Sequence, residues 1–474
     1  MDDRELCYLP AVEALALFRS KELSPLALLR ALIARAEEVE PQINAFTENY
    51  FEEALEKAAE AEQRYARGEA RALEGLPIAI KDEPEIRGKR TTQGSLLLKD
   101  YVSEESAYVV DRLEQAGAIF HARTATPEFC LLFQTHSRLW GVTRNPWNLE
   151  ITPGGSSGGS AASLAAGTAT LANGSDIGGS IRQPASMCGL VGFKPPYGRN
   201  PEAAGVNLDT WNHQGPLART VADCALMQNA MSGPHPRDIA TVRPKIEIPL
   251  ELDTDLRGWR IAYSIDLGYV EVEPEVRSNT LEVLDIFRDR GATVEEAKLG
   301  WTPRIDDAAD RYYAFATGGY IEEIARGNED LLTDYARDSL EQFRKATPQD
   351  FLSAAEISAE MYDDFGPMME HHDVFVCPTA TTTRVKADHN DLHDSIEIDG
   401  KPVESDLGIA LCHQFNMLSR CPVLAVPSGT ASNSVPTGVQ LVGRTYDDEK
   451  VFRAGAALEA ARPPFRDAKS RPAL

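Results

Sequence analysis

The sequence lacks the features that would place the protein in a membrane or on a nucleic acid. No run of about 18 apolar residues occurs, so no transmembrane helix is expected, and the first residues, MDDRELCYLP, are acidic where a signal peptide would be basic. Basic residues number 48 against 73 acidic ones, a formal net charge of −25. This charge repels phosphate backbones, and acidic residues flank the densest basic run, residues 86–90. We therefore expect a cytoplasmic protein with neither a membrane nor a nucleic-acid partner.

Cysteines are few and scattered. The seven of them form no C-x-x-C pair or other zinc-type spacing, so neither a disulfide framework nor a zinc site is expected. Cys377 and Cys421 lie in short apolar runs, and we expect such cysteines to be buried small hydrophobic residues in a reducing compartment. His389 and His393 have an i, i+4 spacing that some metal ligands share. The acidic sequence around them has no helical periodicity, which favours a solvated loop.

Helical and strand-like segments alternate along the chain. Ser24 followed by Pro25 is typical of a helix start, and the segment FEEALEKAAEAEQRYARGEA predicts a largely exposed helix that ends at Gly68. The run LPIAI predicts a buried strand that ends at Lys81, and VFVCPTA, PVLAVPSG and TGVQLVGR predict core strands before a final helix. Short, nearly all-apolar strands between helices indicate an α/β fold whose sheet is covered by helices on both faces.

No linker is long enough to separate a second domain, so we interpret residues 1–474 as a single domain. Its parts, in chain order, are an N-terminal helical segment (1–70), a core with a block rich in glycine and serine (75–198), a variable region (200–373), and C-terminal core strands with a helix (374–465). Within the variable region, residues 200–249 are rich in proline and are predicted to be irregular.

The segment PGGSSGGSAA, residues 153–162, is open to three interpretations. The small-residue segment AASLAAGTATLA directly after it argues against a flexible linker, and the lack of a GK[ST] ending argues against a phosphate-binding loop. Residues 155–159 fit the nucleophile-elbow pattern G-x-S-x-G, with Ser157 as the nucleophile, although the polar sequence before them is not the buried strand that an elbow requires. Candidate bases for a Ser-His-Asp hydrolase lie downstream: His213, His371, His372 and His413.

A longer pattern accounts for more of the sequence. GLPIAIKD, PGGSSGGS, GSDIGGSIRQPA and CGLVGFKPPYGR closely resemble the motifs of the amidase signature family, and FNMLSRCPVLAVPSG and PTGVQLVGRTYDDEKVFRAGAALE resemble its C-terminal part. The resemblance spans nearly the whole chain. It implies the α/β amidase signature fold, with a large mixed central sheet covered by helices on both faces. It also implies hydrolysis of the C–N bond of a carboxylic amide without a metal or organic cofactor, with esters and carbamates as further substrates of some members.

The resemblance places the family's Ser–Ser–Lys triad on Ser180, Ser156 and Lys81. Ser180 would be the nucleophile that forms an acyl-enzyme, and a serine hydroxyl needs a base within hydrogen-bonding reach. Ser156 would relay the proton and would follow a cis peptide bond, which the neighbouring glycines make sterically feasible. Lys81 would be the general base and must be neutral to act. Desolvation lowers the pKa of a lysine, and a position directly after the apolar run LPIAI fits that requirement.

The resemblance also implies roles for the residues around the nucleophile. Asp176 and Arg182 would be a structural ion pair that fixes the loop, and Ser157 would support the triad by hydrogen bonding. The oxyanion hole would consist of four successive backbone N–H groups, those of Ile177, Gly178, Gly179 and Ser180.

Substrate choice and partners are the least specified properties. Cys130 and Leu131 align with a stretch that lines the acyl pocket in family members, and an apolar lining there favours hydrophobic or aryl acyl groups. The variable region, where substrate choice usually resides, matches the family only loosely. We expect a monomer or homodimer that acts on a small-molecule amide. The alternatives are the glutaminase subunit of a tRNA-dependent amidotransferase and a catalytically inactive binding protein of the same fold.

Overall fold

A large mixed β-sheet runs through the middle of the protein. The computed structural model describes residues 2–390, 392–403, 405–465 and 467–474. Over these residues the strands are β1 (Phe46–Asn49), β2 (Pro77–Lys81), β3 (Ile119–Thr124), β4 (His136–Ser137), β5 (Gly141–Val142), β6 (Leu171–Ser175), β7 (Val191–Lys194), β8 (Gln214–Ala218), β9 (Arg260–Tyr263), β10 (Thr293–Glu296), β11 (Val374–Pro378), β12 (Glu397–Ile398), β13 (Lys401–Pro402), β14 (Val423–Thr430) and β15 (Pro436–Val442).

Helices are distributed along the whole described chain. They are α1 (Asp3–Cys7), α2 (Ala11–Ser20), α3 (Pro25–Ile43), α4 (Phe51–Arg67), α5 (Tyr108–Gln115), α6 (Gly158–Ala166), α7 (Arg182–Cys188), α8 (Val221–Met231), α9 (Pro274–Asp289), α10 (Arg304–Ala325), α11 (Asp334–Lys345), α12 (Pro348–Met369), α13 (His413–Met417) and α14 (Asp448–Ala461). None of these helices is long and apolar enough to span a bilayer.

Eleven strands form the central sheet, in the order β1-β3-β2-β6-β8-β7-β14-β15-β11-β9-β10. The pairs β2–β3, β2–β6, β11–β9 and β10–β9 are parallel, and the other neighbours are antiparallel. Alternate residues of a strand point to opposite faces of the sheet. On β11, Val374 and Val376 belong to one large apolar cluster, and Phe375 and Cys377 belong to another. The sheet therefore has a covered core on each face, which confirms the predicted α/β fold.

Local signals in the N-terminal third predicted the elements well. Helix α3 begins at Pro25, and the Ser24 hydroxyl accepts a hydrogen bond from the Ala27 N–H at 3.0 Å as its N-cap. Helix α4 ends at Arg67, and Gly68 follows with a φ of 74°. Strand β2 is buried throughout and ends at Lys81. These elements deliver Lys81 to the interior, as the pattern predicts.

The prediction of an irregular segment over residues 200–249 is wrong. This segment contains strand β8, which lies inside the central sheet, and helix α8. A proline inside a strand argues against a central position because it lacks the N–H for the ladder. Pro216 escapes this restriction because β7 pairs only with Leu217 and Ala218, so Pro216 lies beyond the end of that pairing. On its other side it lies opposite Asn173 of β6.

One carboxylate of the N-terminal helical layer has an unusual environment. Glu40, near the end of α3, accepts hydrogen bonds at 2.9 Å from the N–H groups of Ala45 and Phe46, where the chain turns into β1. Its second oxygen is buried without a hydrogen-bond partner among the described residues. Burial raises the pKa of Glu40 from 4.5 to about 7, against the opposing effect of the two backbone donors.

Replacing Glu40 with glutamine is expected to change the pH dependence of stability. Because the folded-state pKa lies above the unfolded value, wild-type stability relative to Glu40→Gln is highest below about pH 4.5 and falls as the pH rises to about 7. The difference between the urea midpoints of the two proteins at pH 5 and pH 8 measures this effect. Glu37→Gln, at an exposed position of the same helix, is the control. A difference between wild type and Glu40→Gln that stays constant with pH would contradict the assignment.

Candidate active site

Lys81 lies at the carboxyl end of β2, with no solvent-exposed surface. Its backbone N–H donates to the side-chain oxygen of Asn173 on β6 at 2.9 Å, which ties the strand end to its neighbour. Its Nζ donates to the hydroxyl of Ser156 at 2.7 Å and to the hydroxyl of Ser175 at 2.8 Å. Over the described part of the chain, no carboxylate lies within ion-pair distance of this Nζ. Lys81 is thus a buried amine whose side-chain partners are two hydroxyls.

Ser156 lies in the turn that leads into α6. The Gly155–Ser156 peptide bond is cis, as the resemblance implied. A glycine is required at position 155, because a Cβ there would lie 2.6 Å from the carbonyl oxygens of Leu132 and Gln134. The Gly155 N–H donates to the side-chain oxygen of Gln183 at 2.9 Å, so this turn is held against α7. The segment PGGSSGGSAA is therefore a buried, closely packed turn.

The loop between β6 and α7 carries Ser180, which is 5% exposed. The Ser180 carbonyl accepts a hydrogen bond from the Ser157 N–H at 3.1 Å, which places this loop directly beside the Ser156 turn. The Ser157 hydroxyl donates to the Ser175 carbonyl at 3.4 Å. Ser157 thus joins the two segments through backbone groups, without a hydrogen bond to a triad side chain.

The four N–H groups assigned to the oxyanion hole are not equivalent. The Gly179 N–H donates to the Asp176 carboxylate at 2.8 Å and is already occupied, which differs from the assignment made from the sequence. For the N–H groups of Ile177, Gly178 and Ser180, no acceptor lies within hydrogen-bonding distance among the residues that the structure describes. The N–H groups of these three residues remain available to stabilise a negatively charged oxygen.

Asp176 and Arg182 form a fully buried ion pair at the base of this loop. Arg182 donates to both carboxylate oxygens of Asp176, at 2.9 and 2.8 Å. It also donates to the carbonyl of Cys412 at 2.9 Å and to the side-chain oxygens of Gln440 and Asn416 at 2.6 Å each. Although burial acts in the opposite direction, the charge and hydrogen bonds of Arg182 hold the pKa of Asp176 well below its ordinary value. The pair connects the loop to the C-terminal part of the chain.

A cavity of about 820 Å³ lies beside the loop. Phe133 and Tyr313 belong to its wall, and both contact the loop: a Cβ at Gly179 would lie 3.2 Å from the Phe133 ring, and one at Gly178 would lie 2.9 Å from the Tyr313 hydroxyl. Leu131 lines the same cavity. Near the loop the cavity is therefore largely apolar. Its other walls carry charged groups, namely Asp310, Asp338, Asp350, Asp394, Asp406, Arg311 and Lys345.

Comparison with known proteins places this site in a family. Residues 27–452 match the family model described as Amidase. The chain belongs to the amidase signature family. It is 33% identical to the A-type component of a glutamyl-tRNA(Gln) amidotransferase of Geobacter metallireducens, over 94% of this chain and 95% of that protein. It is 34% identical to an acylamidase of Rhodococcus erythropolis, over 98% of this chain and 97% of that protein. A bacterial aryl acylamidase structure, a member of the amidase signature family, has a TM-score of 0.89 at 27% identity and covers 96% of each chain.

Cys130, the second residue that the sequence analysis assigned to an acyl pocket, lies in a tight turn of this amidase signature protein. Phe129 and Cys130 both have left-handed backbone conformations, with φ of 52° and 62°. The Cys130 sulfur is 3.2 Å from the Thr126 hydroxyl. Burial raises the pKa of the thiol, although the nearby charge of Lys81 lowers it. Cys130 therefore lies close to Lys81 as an unreactive thiol.

The histidines downstream of the motif have other partners than the serines. His213 is buried, and its ring nitrogens lie 3.1 Å from the Asp176 carbonyl and 3.3 Å from the Ser419 carbonyl. Burial lowers the pKa of His213 to about 3, so its ring is neutral near pH 7. His413 contacts the Asp306 carboxylate at 2.8 Å, and His372 contacts the Met368 carbonyl at 2.8 Å. His371 is exposed. These contacts do not build a Ser-His-Asp arrangement.

Three residues of the site were missed by the sequence analysis. Ser175 is the last residue of β6 and a direct partner of Lys81, and only its position at a strand end before Asp176 could have signalled this contact. Phe133 and Tyr313 contact the loop from segments outside its motif, and no spacing in the sequence marks them.

Removal of Arg182 is expected to destabilise the protein strongly. Arg182→Ala leaves the Asp176 carboxylate buried without its ion-pair partner, at a cost of about 3–5 kcal/mol in the free energy of unfolding. Arg237→Ala, which breaks an exposed ion pair with Glu105, is the control and should cost less than about 1 kcal/mol. Urea unfolding of the three proteins measures both values. Equal losses for the two variants would contradict the role of the buried pair.

Proposed function

We propose that the protein is an amidase that hydrolyses the C–N bond of a small carboxylic amide through an acyl-enzyme on Ser180. The observation that carries this proposal is the contact of the buried Lys81 Nζ with the Ser156 hydroxyl at 2.7 Å, beside the loop that carries Ser180. A lysine between hydroxyls, away from carboxylates, can act as a base when it is neutral. The similarity to an acylamidase and to an aryl acylamidase structure supports the same reaction class.

In the proposed mechanism the Ser180 hydroxyl attacks the carbonyl carbon of the amide. Its proton passes to Ser156, which gives its own proton to the neutral Lys81 amine. The carbonyl oxygen becomes an oxyanion, and the N–H groups of Ile177, Gly178 and Ser180 stabilise it. Collapse of this intermediate breaks the C–N bond, and the leaving amine takes up the proton from Lys81 through Ser156. Water then attacks the acyl-enzyme by the same proton route and releases the acid.

The Ser180 hydroxyl has no hydrogen-bond partner among the described residues. Catalytic hydrogen bonds are often long before a substrate binds and tighten in its complex. The proposal therefore requires the Ser180 hydroxyl to approach Ser156 when a substrate occupies the site. The Ser157 N–H contact to the Ser180 carbonyl supports this, because it already holds the two segments side by side.

The apolar part of the cavity supports a hydrophobic or aryl acyl group as the substrate. Leu131, Phe133 and Tyr313 would contact that group, with the scissile carbonyl beside Gly178 and Gly179. Because the same nucleophile can attack other carbonyls with a leaving group, esters and carbamates belong to the proposed substrate range.

The second candidate function is the glutaminase component of a tRNA-dependent amidotransferase. The 33% identity to the A-type component of a glutamyl-tRNA(Gln) amidotransferase, over nearly the whole chain, favours it. The net charge of −25 opposes it, since a surface of this sign repels tRNA. Co-purification with a second protein chain, together with glutamine hydrolysis that depends on that chain, would support this candidate.

Each of the variants Lys81→Ala, Ser156→Ala and Ser180→Ala is expected to lower kcat for amide hydrolysis by about a thousandfold or more, because the proton route acts as a unit. The protein should remain folded. A fluorophosphonate probe should label wild type at Ser180 and leave Ser180→Ala unlabelled. Ser186→Ala is the matched control, since this buried hydroxyl on α7 has no hydrogen-bond partner among the described residues and its removal should not change kcat. Full activity of Ser180→Ala would refute the mechanism.

A substrate panel distinguishes the two candidate functions. Aliphatic amides, aryl amides, anilides, carbamates, esters and glutamine are compared by kcat/KM with the purified protein alone. We expect the highest values for amides with apolar acyl groups, because the wall of the cavity near the loop is apolar. Hydrolysis of glutamine alone, and only with a partner protein present, would establish the amidotransferase function instead.

A further inference from the structure

Tyr313 contacts the backbone of the oxyanion loop directly. It lies on α10, more than a hundred residues after the loop, and its hydroxyl donates a hydrogen bond to the Ile177 carbonyl at 3.0 Å. The hydroxyl also lies against Gly178, where an added Cβ would be 2.9 Å away. A side chain from the variable region thus holds one peptide group of the loop.

The peptide group that Tyr313 holds joins Ile177 to Gly178. This peptide is trans, and in a planar trans peptide the C=O and the N–H point in opposite directions. A hydrogen bond that fixes the Ile177 carbonyl therefore also fixes the Gly178 N–H on the opposite side. That N–H has no acceptor among the described residues, whereas the next one, of Gly179, is already bonded to Asp176.

We propose that Tyr313 is a positioning residue of the oxyanion hole, which orients the Gly178 N–H by holding the Ile177 carbonyl with its hydroxyl. This inference rests on the proposed amidase function, in which that N–H binds the oxyanion. A donor that is already oriented needs no reorganisation when charge develops in the transition state, which is how such groups accelerate acyl transfer. Loss of the Tyr313 hydroxyl should therefore lower kcat more than it raises KM.

The surroundings of Tyr313 restrict the position of its ring. Trp211 packs against the ring edge-to-face, with ring centroids 5.9 Å apart, and Trp211 is in turn stacked on Tyr312 at 3.7 Å. The ring forms part of the cavity wall, while the hydroxyl contacts the loop. Burial raises the pKa of Tyr313 well above its ordinary value, so the hydroxyl remains a donor near pH 7.

The neighbouring tyrosine provides a matched control. The Tyr312 hydroxyl donates to the Asp209 carboxylate at 2.5 Å and makes no contact with the Ile177 carbonyl. Tyr313→Phe and Tyr312→Phe each remove one hydroxyl from the same helix and keep the ring. Any general effect of the substitution on α10 should therefore appear in both variants, and an effect on the oxyanion hole should appear only in Tyr313→Phe.

The experiment measures kcat and KM for the best amide of the substrate panel, together with the inhibition constant of phenylboronic acid, which forms a tetrahedral anionic adduct with a nucleophilic serine. For Tyr313→Phe we expect kcat to fall about three- to tenfold, the factor for one lost neutral hydrogen bond, with KM changed less than about twofold. The inhibition constant should rise by a similar factor. Tyr312→Phe should leave all three values within about twofold of wild type. Thermal unfolding confirms that both variants are folded.

Three results would overturn the inference while leaving the proposed function intact, provided that Ser180→Ala is inactive. These are an unchanged kcat in Tyr313→Phe, a raised KM with unchanged kcat, and an equal loss of kcat in both phenylalanine variants. A raised KM alone would make Tyr313 a substrate contact. If Ser180→Ala retains activity, the proposed function fails, and the role of Tyr313 fails with it.

Discussion

The buried ion pair between Asp176 and Arg182 is the interaction on which the geometry of the site depends. Its two charges are removed from water, so each is stable only with the other in place. Asp176 also accepts the Gly179 N–H, which shapes the loop before Ser180, and Arg182 also reaches Asn416 and Gln440 in the C-terminal part of the chain. The loop is therefore built on contacts between distant parts of the fold. This arrangement gives a loop of glycines and serines a single conformation without side-chain bulk at the reacting centre.

The topology of the sheet explains why Lys81 and its partners meet. Strands β2 and β6 are parallel neighbours, so their carboxyl ends lie at the same edge of the sheet, and their last residues are Lys81 and Ser175. Ser156 reaches the same edge from the turn before α6. The variable region then closes the site from the other side through Tyr313 of α10, next to the cavity. Substrate contact and support of the loop thus fall on the same side chain, through its ring and its hydroxyl.

Sequence patterns predicted the elements whose signals are local. The caps of α3 and α4 and the apolar run of β2 each specify a short stretch of backbone, and the structure has them where the sequence placed them. Strand β8 was missed because a central position for Pro216 depends on where the pairing with β7 ends. That register is a property of two strands, and the sequence of one of them does not contain it.

The sequence by itself determined the family and the residues proposed for catalysis, since the motifs around Lys81, Ser156 and Ser180 are long and dense. It could not determine which backbone N–H groups of the loop are available, because Asp176 binds one of them and Tyr313 holds the peptide next to it. It also could not reveal Ser175 as a partner of Lys81 or the walls of the cavity. These properties arise from side chains that strand pairing and helix packing bring together across large separations in the chain, and no local periodicity records such contacts.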